Sequence, residues 1–282
     1  MPKPTKRPRK PQGKCVFCNG GGLSKEHIWS DWLKKLIPSR EDHGEYRAGL
    51  YHERGSQTFR WTEFPQARTR RGCVLQRRIR NVCERHCNNG WMSGVVERAK
   101  PHAERMILGQ QFELERQGMS DLAAWIAITT IMQEFANPKA QRIPPNDRQV
   151  LMLAGTPPST WSIWVARYGG HMWHPMGHYH IPIGYSKGSL HGEPSPDDPP
   201  RHGLQLTTFA FRELLVHVFT STEAEMVDRY RRHIGESAKL SQLWPITADS
   251  LQWPPCSAFR DEEVDRLVFQ WVRNEWGLGA NY

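Results

Sequence analysis

Cys83-Glu84-Arg85-His86-Cys87-Asn88-Asn89-Gly90-Trp91-Met92 places two thiols four residues apart, directly ahead of a stretch with helical spacing. Far upstream stands Cys15-Val16-Phe17-Cys18, followed by Ser24-Lys25-Glu26-His27-Ile28. Brought together, the two thiol pairs form a tetrahedral thiolate cage, a donor set that suits Zn²⁺ as a structural ion. The second spacing is Cys-x3-Cys, one residue longer than usual. His86 therefore remains open as the fourth ligand, through Cys83-x2-His86. Cys87 is the preferred choice, because soft thiolates hold zinc well and Asn88 follows it directly. Cys73 and Cys256 stand alone and read as small buried hydrophobes.

Composition narrows the setting. The chain has 282 residues, of which 38% are hydrophobic and twelve are Trp, enough for a real core. No apolar run approaches the roughly 18 to 20 residues needed to cross a bilayer, so no membrane association is expected. Met1–Lys10 lacks the apolar segment of a secretory signal, which predicts a cytoplasmic protein and argues against a disulfide framework for its six cysteines. Residues 1–100 carry 22 Lys and Arg against 9 Asp and Glu, while the remainder carries 16 against 20. The positive charge thus shares a segment with the candidate metal cage, and such a segment attracts polyphosphate chains by counterion release.

Three regions are expected: a flexible basic arm at 1–13, a zinc-centred module at 14–108 and a mixed α+β part at 119–282. Ser24 reads as the N-cap of a helix through Ile28, Trp29, Trp32, Leu33 and Leu36, which Pro38 ends. Residues 39–72 read as a β-hairpin or ordered insertion. Val74–Val82 alternates apolar and basic residues, as in a half-buried strand with one basic face. Helical spacing resumes from Asn88, and Pro101 is placed to kink or end that helix. Met119–Phe135 predicts a helix capped by Ser120 or Asp121, with Leu122, Trp125, Ile126, Thr129 and Met132 as its stripe. Strands are expected at Trp161–Arg167, Leu206–Phe211 and Leu214–Phe219, joined through a long His-, Gly- and Pro-rich connection. Residues 236–258 read as irregular and Asp261–Trp276 as a final amphipathic helix.

Cys15-x2-Cys18, Glu26-His27, Cys83-x3-Cys87-Asn88 and the helix that follows resemble, as a set, the HNH endonucleases of the ββα-metal superfamily. Within it the likeness is to a phage and bacterial subgroup with Lys-Glu-His and Cys-Asn-Asn-Gly-Trp-Met motifs, here Lys25-Glu26-His27 and Cys87–Met92. The resemblance covers about residues 14–100. It implies an α+β fold with a zinc-stabilised ββα-metal core carrying an inserted helix and hairpin, plus the C-terminal α+β part. It implies a phosphodiester hydrolase in which His27 is the general base, and Glu26 and Asn88 are ligands of a catalytic Mg²⁺ or Mn²⁺. A hard ion needs oxygen donors, and a neutral imidazole near pH 7 can accept a proton. The zinc would hold the two halves in register. The family's middle Asn has no clean counterpart here, Asn81 being the best candidate.

DNA is the expected substrate, in phage biology or anti-phage defence, with Arg70, Arg71, Arg77, Arg78 and Arg80 along its path. RNA cleavage, or nucleic-acid binding without catalysis, is the alternative. The C-terminal part is left to shape substrate choice, or to contact a second copy or a protein partner. His171, His174, His178 and His180 could bind a metal or form a turn of exposed histidines.

Overall fold

The computed structural model describes residues 13–37, 49–53, 59–63, 74–136, 141–185, 202–235 and 239–276. Its strands are β1 (Leu23–His27), β2 (Gly49–Glu53), β3 (Phe59–Glu63), β4 (Arg78–Cys83), β5 (Phe112–Glu115), β6 (Trp161–Tyr168), β7 (Met176–Tyr185), β8 (His202–Phe211), β9 (Leu214–Ser221), β10 (Ser241–Trp244), β11 (Ser250–Trp253) and β12 (Ala258–Phe259). Its helices are α1 (Ser93–Ile107), α2 (Arg116–Glu134), α3 (Pro145–Ala154), α4 (Ala224–Gly235) and α5 (Asp261–Trp276). The architecture is mixed α+β, as the sequence predicts.

The large sheet runs β10-β6-β9-β8-β7-β2-β3, with β12 pairing β6 in parallel. From β6 to β7 the strands are antiparallel neighbours. Strict alternation sorts their side chains onto two cores. Trp161, Ile163, Val165, Phe209, Phe211, Leu214, Val216 and Val218 face α1, α2 and the N-terminal segment. Trp164, Ala166, Leu206, Leu215 and Phe219 face Tyr230 of α4 and Val268 and Trp271 of α5. A sheet covered on both faces explains the near-continuous apolar runs in these strands.

The expected helix after Ser24 is not formed. Ser24 lies in β1, which pairs antiparallel with β4 at Leu23↔Cys83 and His27↔Arg78. Only Asp31–Lys35 is helical, as a 3₁₀ turn. The helical spacing of Trp29 and Leu33 is real but short, and both bury completely. Pairing with a strand fifty residues away overrides the local propensity.

Within the expected hairpin region, β2 and β3 pair antiparallel, and β2 joins the large sheet through parallel pairing of Tyr51 with Ile183. The chain therefore leaves the β1–β4 unit, visits the large sheet and returns. Other contacts tie the two parts together. Trp29 packs edge-on to Phe209 and Phe211, Trp125 Nε1 donates to Ser30 Oγ at 2.9 Å, and Arg148 Nε donates to the Val16 carbonyl at 3.1 Å.

Several expectations change in detail. Pro101 does not end α1, which runs to Ile107, because Pro101 and Glu97 lie on the exposed side where the released carbonyl can meet water. Helix α2 starts at Arg116 and is buried nearly all round, so it has no single stripe. Asp121 is no cap; it lies inside that helix and accepts from Arg98 Nε at 2.8 Å. The connection after β6 contains β7, and residues 236–258 contain β10 and β11, with β11 paired to β5. Cys256 is exposed rather than buried, and Cys73 lies outside the described residues. In the described residues no helix is long and apolar enough to cross a membrane.

Candidate metal centre and catalytic site

The Cys15–Cys18 turn is shaped by its backbone. Cys15 N–H donates to the Gly20 carbonyl at 2.8 Å, and Asn19 N–H to the Cys15 carbonyl at 3.0 Å, with Asn19 in the left-handed region at φ 57°. Val16 N–H then donates to the Asn81 carbonyl of β4 at 2.9 Å, and Glu84 N–H to the Gly22 carbonyl at 3.0 Å. These bonds lay the turn against the end of β4, where Cys83 closes the strand. The next segment, Glu84–Met92, is a wide π-type turn that returns Cys87 to the same spot. It breaks at Gly90 (φ −102°, ψ −117°), and regular helix begins only at Ser93, five residues later than the sequence predicts from Asn88.

The four sulfurs of Cys15, Cys18, Cys83 and Cys87 lie within 4.8 Å of one another. Cys15 Sγ is 3.6 Å from Cys87 Sγ, and Cys18 Sγ is 3.4 Å from Cys83 Sγ. Tetrahedral zinc with Zn–S bonds of about 2.3 Å sets sulfur–sulfur edges of about 3.8 Å, so the spacing fits. All four are free thiols. Four cysteines this close could hold a metal ion such as zinc. Burial pushes the Cys15 thiol up, but the backbone N–H groups of Cys18, Cys83 and Phe17 together with the Cys87 thiol outweigh it and leave it below its ordinary value. Burial also pushes Cys87 up, against the pull of the nearby Trp91 indole. His86 is exposed and outside the cluster, so the fourth ligand position falls to Cys87.

Beside the cage, the β1–β4 pair and the following turn assemble Glu26, His27 and Asn88. Asn88 Nδ2 donates to Ser24 Oγ at 3.3 Å, and the Asn88 amide favours the charged form of the Glu26 carboxylate. Burial holds the Glu26 carboxyl above its ordinary value, against the His27 backbone N–H, Arg78 and Asn88.

His27 closes β1. Its Nδ1 faces the Leu75 carbonyl at 3.3 Å, and its Nε2 accepts from Arg78 Nε at 2.7 Å. A guanidinium only donates, so Nε2 carries the lone pair and Nδ1 the hydrogen. Asp31 Oδ1 lies 3.1 Å from the same Nε2 and is ion-paired with Lys34. Burial, then Arg78 and Lys34, hold the imidazole below its ordinary value, against the Leu75 carbonyl and Asp31. Both Glu26 and His27 feel Arg78 and Asp31, so one charged cluster serves both.

Asn81 does not orient the histidine; its side chain is buried without a hydrogen-bond partner among the described residues. The Leu75 carbonyl takes that position, and a backbone group leaves no mark in a sequence. Asp31, at i+4 from His27, is a position that a helix would also bring beside it, but one carboxylate at that spacing is too common to mark a site.

The arginines divide. Arg78 and Arg80 are exposed on one face of β4. Arg77 is half-buried and donates from Nη2 to the Ala136 carbonyl at 3.1 Å, so it belongs to the packing rather than to an open basic face. Arg70 and Arg71 lie outside the described residues.

The histidine run does not converge. His171 and His174 are exposed in a loop, while His178 and His180 sit on β7. Burial pushes His178 down to about 4 and His180 to about 3, and His180 Nδ1 pairs with Thr207 Oγ1 at 2.9 Å. Among the described residues the four cysteines are the one group of three or more His, Cys, Asp or Glu side chains that could hold a metal ion. Comparison of the chain with protein-family models, curated proteins and solved structures finds no match.

Proposed function

We propose that the chain is a metal-dependent HNH endonuclease that hydrolyses phosphodiester bonds of DNA. The observation that carries this function is the state of His27. Its Nδ1–H is held on a backbone carbonyl, and its Nε2 lone pair faces the exposed Arg78 beside the Glu26–Asn88 pair. A neutral imidazole anchored at one nitrogen and basic at the other is what a general base requires.

Nε2 of His27 takes a proton from water, the hydroxide attacks phosphorus, and the bond to the 3′-oxygen breaks. The imidazolium then has the Asp31 carboxylate within reach of its new N–H. Glu26 and Asn88 offer the oxygen donors of a hard-cation site, and Mg²⁺ ordinarily completes such a set with waters and substrate phosphate. A Mg²⁺ or Mn²⁺ held there would supply charge neutralisation at the phosphate and the leaving oxygen.

The cysteine cage is assigned a structural Zn²⁺, since all four positions are filled by thiolates and none is left open for substrate. Its task is to hold the 15–18 turn against 83–87, and thereby Glu26 and His27 against Asn88. Arg78 and Arg80 give the phosphate backbone a cationic approach to His27. Residues 119–282 are left to shape substrate choice or to meet a partner.

The test is incubation of the purified protein with supercoiled plasmid and with RNA, in Mg²⁺, Mn²⁺ or chelator. Nicking or linearisation of plasmid that needs the divalent ion is expected. Cleavage of RNA alone would move the substrate class. Binding without cleavage of either under every ion would make the chain a nucleic-acid-binding module.

A further inference from the structure

We infer that Arg78 is a phosphate-responsive latch on the general base, which keeps His27 blocked until a phosphodiester draws the guanidinium away. The inference presupposes the nuclease function proposed above and deepens it. Nε2 of His27 is the atom that must accept the proton of water, yet it is occupied by Arg78 Nε at 2.7 Å. The other ring nitrogen is committed to the Leu75 carbonyl, so no ring flip can offer a free lone pair without breaking that bond.

The latch has a counter-charge. Asp31 Oδ1 lies 3.1 Å from the same Nε2 and attracts Arg78, while Lys34 pairs with the same oxygen. Arg78 itself is exposed, on the same face of β4 as Arg80, so its side chain can swing without disturbing the strand. A neutral imidazole nitrogen is a single, uncharged acceptor. A phosphodiester offers anionic oxygens matched to the guanidinium fork, which binds them bidentately and more strongly. Phosphate should therefore win Arg78 from His27, and the base is released at the moment when there is a phosphorus to attack. Arg78 acts through His27 and is a positioning residue.

The test reads the imidazole rather than cleavage. Diethyl pyrocarbonate acylates the free ring nitrogen of neutral histidine, and mass spectrometry of the peptide containing His27 gives its rate. At about pH 8 the ring is neutral in every variant. The latch predicts slow labelling of wild-type His27, accelerated roughly threefold to tenfold by inorganic phosphate, in line with the net contribution of one ordinary hydrogen bond. Arg78→Ala and Arg78→Lys should both label fast without phosphate and ignore its addition. Arg78→Lys retains the positive charge, so fast labelling there identifies the lost Nε–H rather than a change of field. Equal labelling in wild type and both variants, or phosphate slowing the wild type, would overturn the latch. Either result would leave the nuclease proposal standing. A wild type that labels as expected but cuts nothing would sink that proposal and leave a phosphate-sensitive histidine.

Discussion

The β1–β4 unit and the β6–β9 sheet are held together by opposite means. No residue of β1 is fully buried and only the last two of β4 are, whereas every residue of β9 is. A two-stranded sheet is marginal in water, so β1 and β4 depend on what packs around them. Trp29, Leu33, Leu75 and Val82 tie the unit into the main core, and beside it stand four cysteines that could hold a metal ion. In the large sheet one buried polar trio satisfies itself instead. His217 sits between Thr208 Oγ1 at 2.6 Å and Tyr230 OH at 2.5 Å, inside the core. The exposed ionisable groups of β4 thus lie beside the four cysteines, whereas His217 of the large sheet is enclosed.

The sharpest way to break that contrast is to strip the four cysteines of the zinc proposed for them. Structural zinc in small domains contributes on the order of 10 kcal/mol to folding. Chelation or Cys87→Ser should therefore abolish hydrogen-exchange protection of residues 13–37 and 74–92 while β6, β8 and β9 stay protected. Metal-free protein with unchanged protection in both regions would refute the cage. The converse perturbation is Phe219→Ala. Phe219 stacks on Tyr230 at 4.1 Å and meets Trp271 edge-on, so its loss should cost about 3 to 5 kcal/mol in denaturant melts. Zinc per folded molecule, by elemental analysis, should not change. A loss below about 1 kcal/mol would mean that the sheet is not held by this core.

Acid separates the regions more gently. Burial, reinforced by His233, pushes His217 down to about 3, below its ordinary 6.5. Its neutral form therefore stabilises the fold above pH 6.5, and that contribution is lost as pH falls from 6.5 toward 3. The limiting slope is about 1.4 kcal/mol per pH unit for one such group. Glu134, pushed up to about 7 by burial, works the other way, its contribution being lost as pH rises from 4.5 through 7. The comparison of His217→Gln with wild type is thus the decisive one. The variant should show a flatter loss of stability in urea melts, and parallel curves would contradict the placement. The smallest effect belongs to the exposed basic face. Arg80→Ala should leave melting unchanged and reduce the salt slope of DNA affinity by about 0.9, the value for one phosphate contact. An unaltered slope would place the DNA elsewhere.

What was legible in the sequence follows the same division. The cysteine pairs, Glu26-His27 and Asn88 are short motifs whose meaning travels with residue type, and the structure brings them together. Strands β6, β8 and β9 were visible because burial on both faces writes long apolar runs. Strand β1 was misread as helix, since Trp29 and Leu33 mimic a helical stripe while its real partner, β4, lies beyond a long excursion. Strand β7 was hidden by His178, His180 and Pro182, polar or strand-breaking types that tertiary pairing with β8 overrides. The orienting carbonyl of Leu75 and the Arg78 contact on His27 depend on that same pairing, so no linear motif could announce them.

The most direct measurement is plasmid cleavage by His27→Ala beside wild type, at saturating Mg²⁺ or Mn²⁺. Loss of a general base costs roughly a hundredfold to ten-thousandfold in rate. The variant should fold, keep its zinc and bind DNA with near wild-type affinity, yet cleave at least about a hundredfold more slowly at every metal concentration. Glu26→Ala, by contrast, should be partly rescued by added metal. Equal cleavage by wild type and His27→Ala would contradict the assignment of the base and, with it, the site built around β1 and β4.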